Sequence, residues 1–142
     1  MKVVDANVLL YAINPSEPMH DRAHAWLDGA LTGVEPVGFS WVVLLGFLRV
    51  STLLGAFPNP LTTGQALGVA EEWLRQRAAV VLEPTPRHLS IMRQLLEPVG
   101  TGGNLVPDAH LAALAIEHRG EVVSFDNDFA RYPGLRWRRP GE

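Results

Sequence analysis

The feature that most limits what this chain can fold into is an alternation. Short apolar, mostly β-branched runs recur at residues 2–4, 37–39, 80–82, 121–125 and 135–137, and stretches of helical period lie between them. Residues 18–31 place Ala23, Trp26, Leu27 and Ala30 on one helical face. Val8, Leu9 and Leu10, after the polar step Asp5-Ala6-Asn7, read as a helix starting where the first strand stops. Ser40 is placed to cap a helix reaching about residue 54. Further helical patterns cover 62–77, 86–96 and 107–119, with Pro107 in a first helical turn where its missing N–H costs nothing. Strands separated by helices cannot pair as hairpins. They join through right-handed crossovers into a parallel sheet flanked by helices, which is an α/β fold, here a single domain over residues 1–142. In such sheets, binding sites lie beyond the carboxyl ends of the strands.

Composition narrows the classes of function. Of 142 residues, 47% are hydrophobic and 19% charged, enough apolar content to form a core and too little charge for a disordered chain. The absence of cysteine excludes a disulfide scaffold, a thiol nucleophile and a cysteine zinc cluster. Asp5 interrupts the N-terminal apolar run before a signal peptide can form, and the stretch beginning at Val37 stops at Arg49, short of the ~20 residues a membrane helix needs. A cytoplasmic protein with no membrane partner is the expectation. The net charge of −3 argues at first sight against a nucleic-acid binder.

The acidic residues change that view. Asp5 ends the first strand, Asp126 and Asp128 follow the strand at 121–125, and Asp108 opens the helix feeding that strand. If the first and late strands are neighbours, the four carboxylates converge at one edge. Grouped carboxylates raise one another's pKa and are tolerated mainly where a cation neutralises them. An all-oxygen donor set suits Mg²⁺ or Mn²⁺. Each residue also has a plainer reading. Asp108 complements a helix dipole, and Asp126 or Asp128 can cap a turn. Asp5 is harder to explain that way, because a carboxylate inside an apolar run is costly unless partnered. Asn7 and Ser124, two residues from Asp5 and Asp126 respectively, are supporting candidates, with ordinary turn chemistry as the alternative.

Other motifs fit less well. His20 and His24 stand at i and i+4, but the intervening zinc-protease Glu is replaced by Asp and no third ligand is evident. Gly100-Thr101-Gly102-Gly103 lacks the Gly-Lys-Ser/Thr ending of a phosphate loop and reads as a flexible rim beside Asn104 and Asp108. The run from Asp126 lacks the glycine of a calcium loop, with Arg131 at the sixth position. Lys2 is the only lysine, which removes a response-regulator site. Residues 40–70 carry one formal charge, Arg49. Trp41, Phe47, Phe57 and Leu61 there belong to the core or to a partner surface. Arg131, Arg136, Arg138 and Arg139 make a basic C-terminal end suited to RNA phosphates or to a solvated tail. With the four aspartates set apart as a metal site, the rest of the chain is slightly positive, and overall acidity no longer opposes RNA binding.

Four segments occur in order: Asp5-Ala6-Asn7-Val8-Leu9-Leu10-Tyr11, Gly46-Phe47-Leu48-Arg49-Val50, Asp108-Ala109-His110-Leu111-Ala112-Ala113-Leu114-Ala115 and Ser124-Phe125-Asp126-Asn127-Asp128-Phe129. Together they resemble the PIN-domain ribonucleases, and in particular the VapC toxins of VapBC toxin–antitoxin pairs, over essentially the whole chain. The resemblance implies a metal-dependent endoribonuclease with Asp5, Asp108 and Asp126 as Mg²⁺ or Mn²⁺ ligands, Asp128 as an additional catalytic acid, and Ser124 in support. It also implies an RNA substrate, a VapB-type antitoxin and a homodimer. One departure stands out. Many family members carry a Glu in the third helix, and the corresponding residue here is Gly46, a change that points to weaker metal binding or one ion instead of two. Glu35, eleven residues earlier, is not expected to replace it. Arg49, one turn from Gly46, is a candidate to pair with the acidic cluster or contact a phosphate. The departure also motivates an alternative: a non-catalytic PIN fold that binds RNA or protein.

Overall fold

The computed structural model describes residues 1–100 and 102–142, so Thr101 of the expected loop lies outside the described residues. Five parallel strands form one sheet: β1 (Lys2–Val4), β2 (Val37–Phe39), β3 (Ala79–Val81), β4 (Glu121–Val123) and β5 (Trp137–Arg138), in spatial order β3-β2-β1-β4-β5. Six α-helices connect them: α1 (Ala6–Ile13), α2 (His20–Leu31), α3 (Trp41–Ser51), α4 (Thr63–Arg75), α5 (His88–Leu96) and α6 (Val106–Glu117). The chain runs outward from β1 through β2 to β3, then returns to the other side of β1 for β4 and β5. The reversal lies between β1 and β4, where open α/β sheets form a crevice at their carboxyl ends.

Local chemistry accounts for the helix starts. Asp5, Ser40 and Thr62 hold extended backbone and accept hydrogen bonds from the first turns of α1, α3 and α4. Thr62 and Gln65 complete a reciprocal capping box. The centre of the core is built from Phe39, Phe47, Phe129, Leu9 and Leu44, all fully buried. Phe47 meets Trp73 edge-on at 4.7 Å and fastens α3 to α4. In α6, residues 109 and 111–115 are all buried; a helix apolar all round is an interior helix, and its alanines let it lie close to the sheet.

Several boundaries differ from the sequence reading. The late strand ends at Val123, not 125, because the Phe125 N–H donates to the Asn7 side chain instead of to a neighbouring strand. The third helix ends at Ser51, not 54. The Thr52 hydroxyl bonds back to the Leu48 carbonyl, and the Ser51 carbonyl accepts from the Leu61 N–H. The helix expected to reach 119 stops at Glu117, and Arg119 turns the chain with φ 55°. The last strand is shifted to 137–138 by a turn in which Gly134 has φ 78°. The sequence reading did not separate out the short 3-10 segments Glu97–Val99, Gly103–Leu105 and Asn127–Arg131.

A buried polar cluster joins α5 to α6. The Glu117 carboxylate accepts from the Thr85 N–H and hydroxyl and meets His88 Nδ1 at 2.5 Å, while His88 Nε2 lies 2.8 Å from His110 Nδ1. Burial pushes the Glu117 carboxyl up, but the bonds from Thr85 and His88 outweigh it and hold the group below the usual range. Among the described residues no helix is long and apolar enough to cross a membrane.

Candidate active site

Asp5 sits where β1 gives way to α1, and its own N–H donates to the Val123 carbonyl of β4 at 3.0 Å. The backbone therefore locks the two strand ends side by side before any side chain is considered. Asp5 Oδ1 accepts from Ala6 N at 2.7 Å, and Oδ2 accepts from the Ser124 hydroxyl at 2.6 Å and from Asn7 Nδ2 at 3.3 Å. Asn7 Nδ2 also reaches Ser124 Oγ at 3.1 Å. The fully buried Ser124 accepts in turn from the Asp126 N–H at 3.0 Å. This closed set of bonds fixes the Asp5 carboxylate relative to the β4 end. Its pKa is nevertheless raised: burial pushes it up, the Ser124 and Ala6 bonds pull it down, and Asp126 pushes it up again.

Asp126 caps the 3-10 segment through the Asp128 N–H, which donates to Asp126 Oδ1 at 2.8 Å. The capping role and the site role thus belong to one residue, and only one carboxylate oxygen is used. Asp128 is exposed and paired with Arg131 at 3.0 Å. Asp108 lies half-buried in the first turn of α6, with its carboxyl pushed up to about 6. Burial is the largest cause, the charges of Asp5 and Asp126 come next, and Arg131 opposes them. The structure therefore brings Asp5, Asp108, Asp126 and Asp128 within electrostatic reach of one another. Among the described residues no three acidic or histidine side chains close tightly enough to enclose an ion. The arrangement is an open crevice, not a cage.

The supporting candidates divide. Asn7 and Ser124 are inside the site as groups that orient Asp5. Arg49 is exposed on α3 and makes none of the ion pairs among the described residues; Arg131 is the cation that acts on Asp108. Asn104 is exposed on the 3-10 segment just before α6. Gly46 faces the start of α1. A Cβ there would meet only the Ala6 side chain, at 3.9 Å, so the space beside the residue after Asp5 stays open. Glu35 pairs with the Met1 amino group and Lys2 at the opposite end of the strands. His20 spends Nδ1 on the Tyr11 carbonyl.

Sequence reasoning missed both tyrosines of the chain. Tyr11 is pushed up by burial, then by Glu17, Asp5 and Asp126. Tyr132 is pushed up by burial, then by Asp108, and its buried hydroxyl has no hydrogen-bond partner among the described residues. Nothing in their spacing separates them from core aromatics. Only their helix and turn positions relative to β1 and β4 reveal them.

The strand order, with acidic residues gathered at the carboxyl ends of β1 and β4, defines a parallel α/β domain whose family is identified by comparison with known proteins. The PIN domain family model matches residues 2–135. The chain belongs to the PIN-domain family, and within it to the VapC group. It is 53% identical to Ribonuclease VapC37 of Mycobacterium tuberculosis over 99% of this chain and 97% of that protein. Among solved structures it is similar to VapBC2 from Rickettsia felis bound to a DNA fragment from their promoter, with TM-score 0.70, 21% identity and 97% of both chains covered. It is also similar to the Sarcin-Ricin loop cleaving toxin VapC20 of Mycobacterium tuberculosis, with TM-score 0.64, 17% identity and 92% of this chain and 93% of that one covered.

Proposed function

We infer that this chain is a divalent-metal-dependent endoribonuclease that acts as the toxin of a toxin–antitoxin pair. The observation that carries this reading is the convergence of Asp5, Asp108 and Asp126 beyond β1 and β4, with the Asp5 and Asp108 carboxyls raised by burial and mutual charge. The likeness to a protein named a ribonuclease, along almost the entire length of both chains, supports it.

The donor set fits a hard cation. It offers oxygens only, it carries negative charge that Arg131 offsets only in part, and its open spacing suits an ion that keeps part of its water shell, as Mg²⁺ and Mn²⁺ do. Asp5, Asp108 and Asp126 would hold the ion. When bound, such an ion supplies Lewis acidity: it lowers the pKa of water and offsets the charge that builds up on a phosphate under attack. The protein's own part is positional. Ser124, Asn7 and Ala6 hold the Asp5 carboxylate in one orientation, so its lone pairs need no reordering when ligand arrives. Arg131 keeps Asp128 in place and tempers the charge on Asp108. In this reading RNA is the substrate, and a VapB-type antitoxin and a second copy of the chain are the protein partners. Trp41, Val42 and Leu45, exposed along α3, offer apolar surface for a protein contact.

The test is cleavage of total RNA by the purified full chain with Mg²⁺ or Mn²⁺, with EDTA, and with Asp5→Asn. Asn preserves the helix cap, so the variant should fold yet lose at least about 100-fold in rate. Cleavage that survives both EDTA and the substitution overturns the mechanism. Undetectable Mn²⁺ binding together with retained RNA binding would establish the non-catalytic alternative, which the open space at Gly46 favours.

A further inference from the structure

The four C-terminal arginines are not equivalent. Arg136 donates to the Arg119 carbonyl and Arg138 pairs with Glu121 at 2.7 Å; both partners lie at the amino end of β4, away from the acidic crevice. Arg131 is held by Asp128 through both its side-chain carboxylate and its carbonyl. Arg139 follows β5 at the carboxyl end of the sheet, and its position is different. Its guanidinium lies over the Phe125 ring, 5.8 Å from the centroid, and its Nη1 makes one long contact of 3.4 Å to Asn127 Oδ1. Its Nε is buried with no hydrogen-bond partner among the described residues. It makes none of the ion pairs among the described residues, although the two residues it touches, Phe125 and Asn127, flank Asp126.

The mount is built from residues of the site. Phe125 lies between Ser124 and Asp126, its N–H is held by Asn7, and its ring packs on Tyr11 at 5.2 Å. Phe125 is thus fixed in part by Asn7, which also orients Asp5. A guanidinium resting on an aromatic ring is held in direction while its terminal Nη donors stay available. A buried N–H without a partner costs free energy, and an arriving acceptor that draws the guanidinium into a forked contact relieves that cost. The matching acceptor is an anion with several oxygens that approaches the carboxylates from the β5 side.

The geometry points to Arg139, mounted on Phe125, as the residue that takes a backbone phosphate of the RNA beside the scissile bond and sets the strand's register on the acidic crevice. The assignment rests on the ribonuclease reading above and adds a substrate-positioning residue to it. Its position after β5 gives the strand an entry side. Arg131 is committed to Asp128, and Arg136 and Arg138 are committed to the far edge.

The experiment measures binding of a fluorescein-labelled, mixed-sequence single-stranded RNA by anisotropy in EDTA, across a salt series, for the full chain, Arg139→Gln, Arg139→Lys and Arg136→Gln. Each phosphate neutralised contributes about 0.7 to the slope of log affinity against log salt for a single strand. Arg139→Gln should weaken binding about tenfold and lower that slope by about 0.7. Arg139→Lys should keep the slope and lose part of the affinity, a split that a merely structural role would not give. Arg136→Gln should match the parent, and thermal melts of all four proteins check folding. A parent that binds RNA with Arg139→Gln showing the same slope overturns the assignment and leaves the ribonuclease reading standing. A parent with no RNA binding at low salt overturns the assignment, and the ribonuclease reading is then decided separately by the cleavage assay with Mg²⁺ or Mn²⁺.

Discussion

Asp108 shows how a single residue encodes both the fold and the site. Its carboxyl has an ordinary value of 3.8 and is pushed up to about 6, chiefly by burial and then by Asp5 and Asp126. Without metal, the folded state therefore binds more protons than the unfolded chain between those two values, and stability falls as pH rises through them. Below 3.8 the carboxyl is neutral in both states and costs nothing; above about 6 its cost is complete. Asp108→Asn should thus stabilise the EDTA-treated protein at pH 7 by about 1 kcal/mol, after allowance for solvent screening and the helix dipole, and should change nothing near pH 3.5. Urea unfolding at the two pH values checks this, and an equal effect at both would contradict it. On the metal-dependent reading proposed above, Mn²⁺ should reverse the sign, because an ion stabilises only the protein that binds it. Asp5 was legible as a candidate because it interrupts an apolar run, where a carboxylate needs a partner, and Asp108 and Asp126 because they open the late helix and follow the late strand. Arg131 and Arg139 were legible only as basic residues. Which of four arginines faces the crevice depends on where β5 begins, and that is decided by the turn at Gly134.

At the scale of elements, the strands fit the sequence pattern more closely than the helix ends do. A run such as Val37-Gly38-Phe39 is buried on both faces, so its apolar character marks it directly. Helix ends depend on side-chain bonds such as that of Thr52 to Leu48, which compete locally and leave no periodic trace. Gly38 shows how tightly β2 is enclosed. A Cβ there would stand 2.5 Å from Leu82 Cδ1 and 2.9 Å from Leu82 Cγ, and Leu82 is itself buried. Gly38→Ala should destabilise the protein by about 1–3 kcal/mol through overpacking. Gly38→Ala combined with Leu82→Val should recover part of that loss, since the two positions share one space. Chemical denaturation of both singles and the double gives the coupling, and strictly additive effects would show that the clash is relieved elsewhere.

For the whole molecule, the decisive feature is the place of β1. It is the first strand in the chain and the middle strand of the sheet, paired with β2 on one side and with β4 on the other. Asp5 hydrogen-bonds to Ser124, a residue 119 positions away. Contacts of such long separation form late, because loop closure must precede them. On the ribosome this becomes a matter of timing. A growing chain that has released β1, β2 and β3 has a half-covered centre strand and a lone Asp5, with no Ser124 to orient it and no Asp126 beside it. Protease protection of stalled nascent chains should show β1 becoming resistant only after β4 has left the exit tunnel, and protection appearing with β2 alone would refute this order. A ribonuclease built this way would be synthesised in a harmless form, and its first opportunity to cut RNA would come as the last strands of its own translation fold.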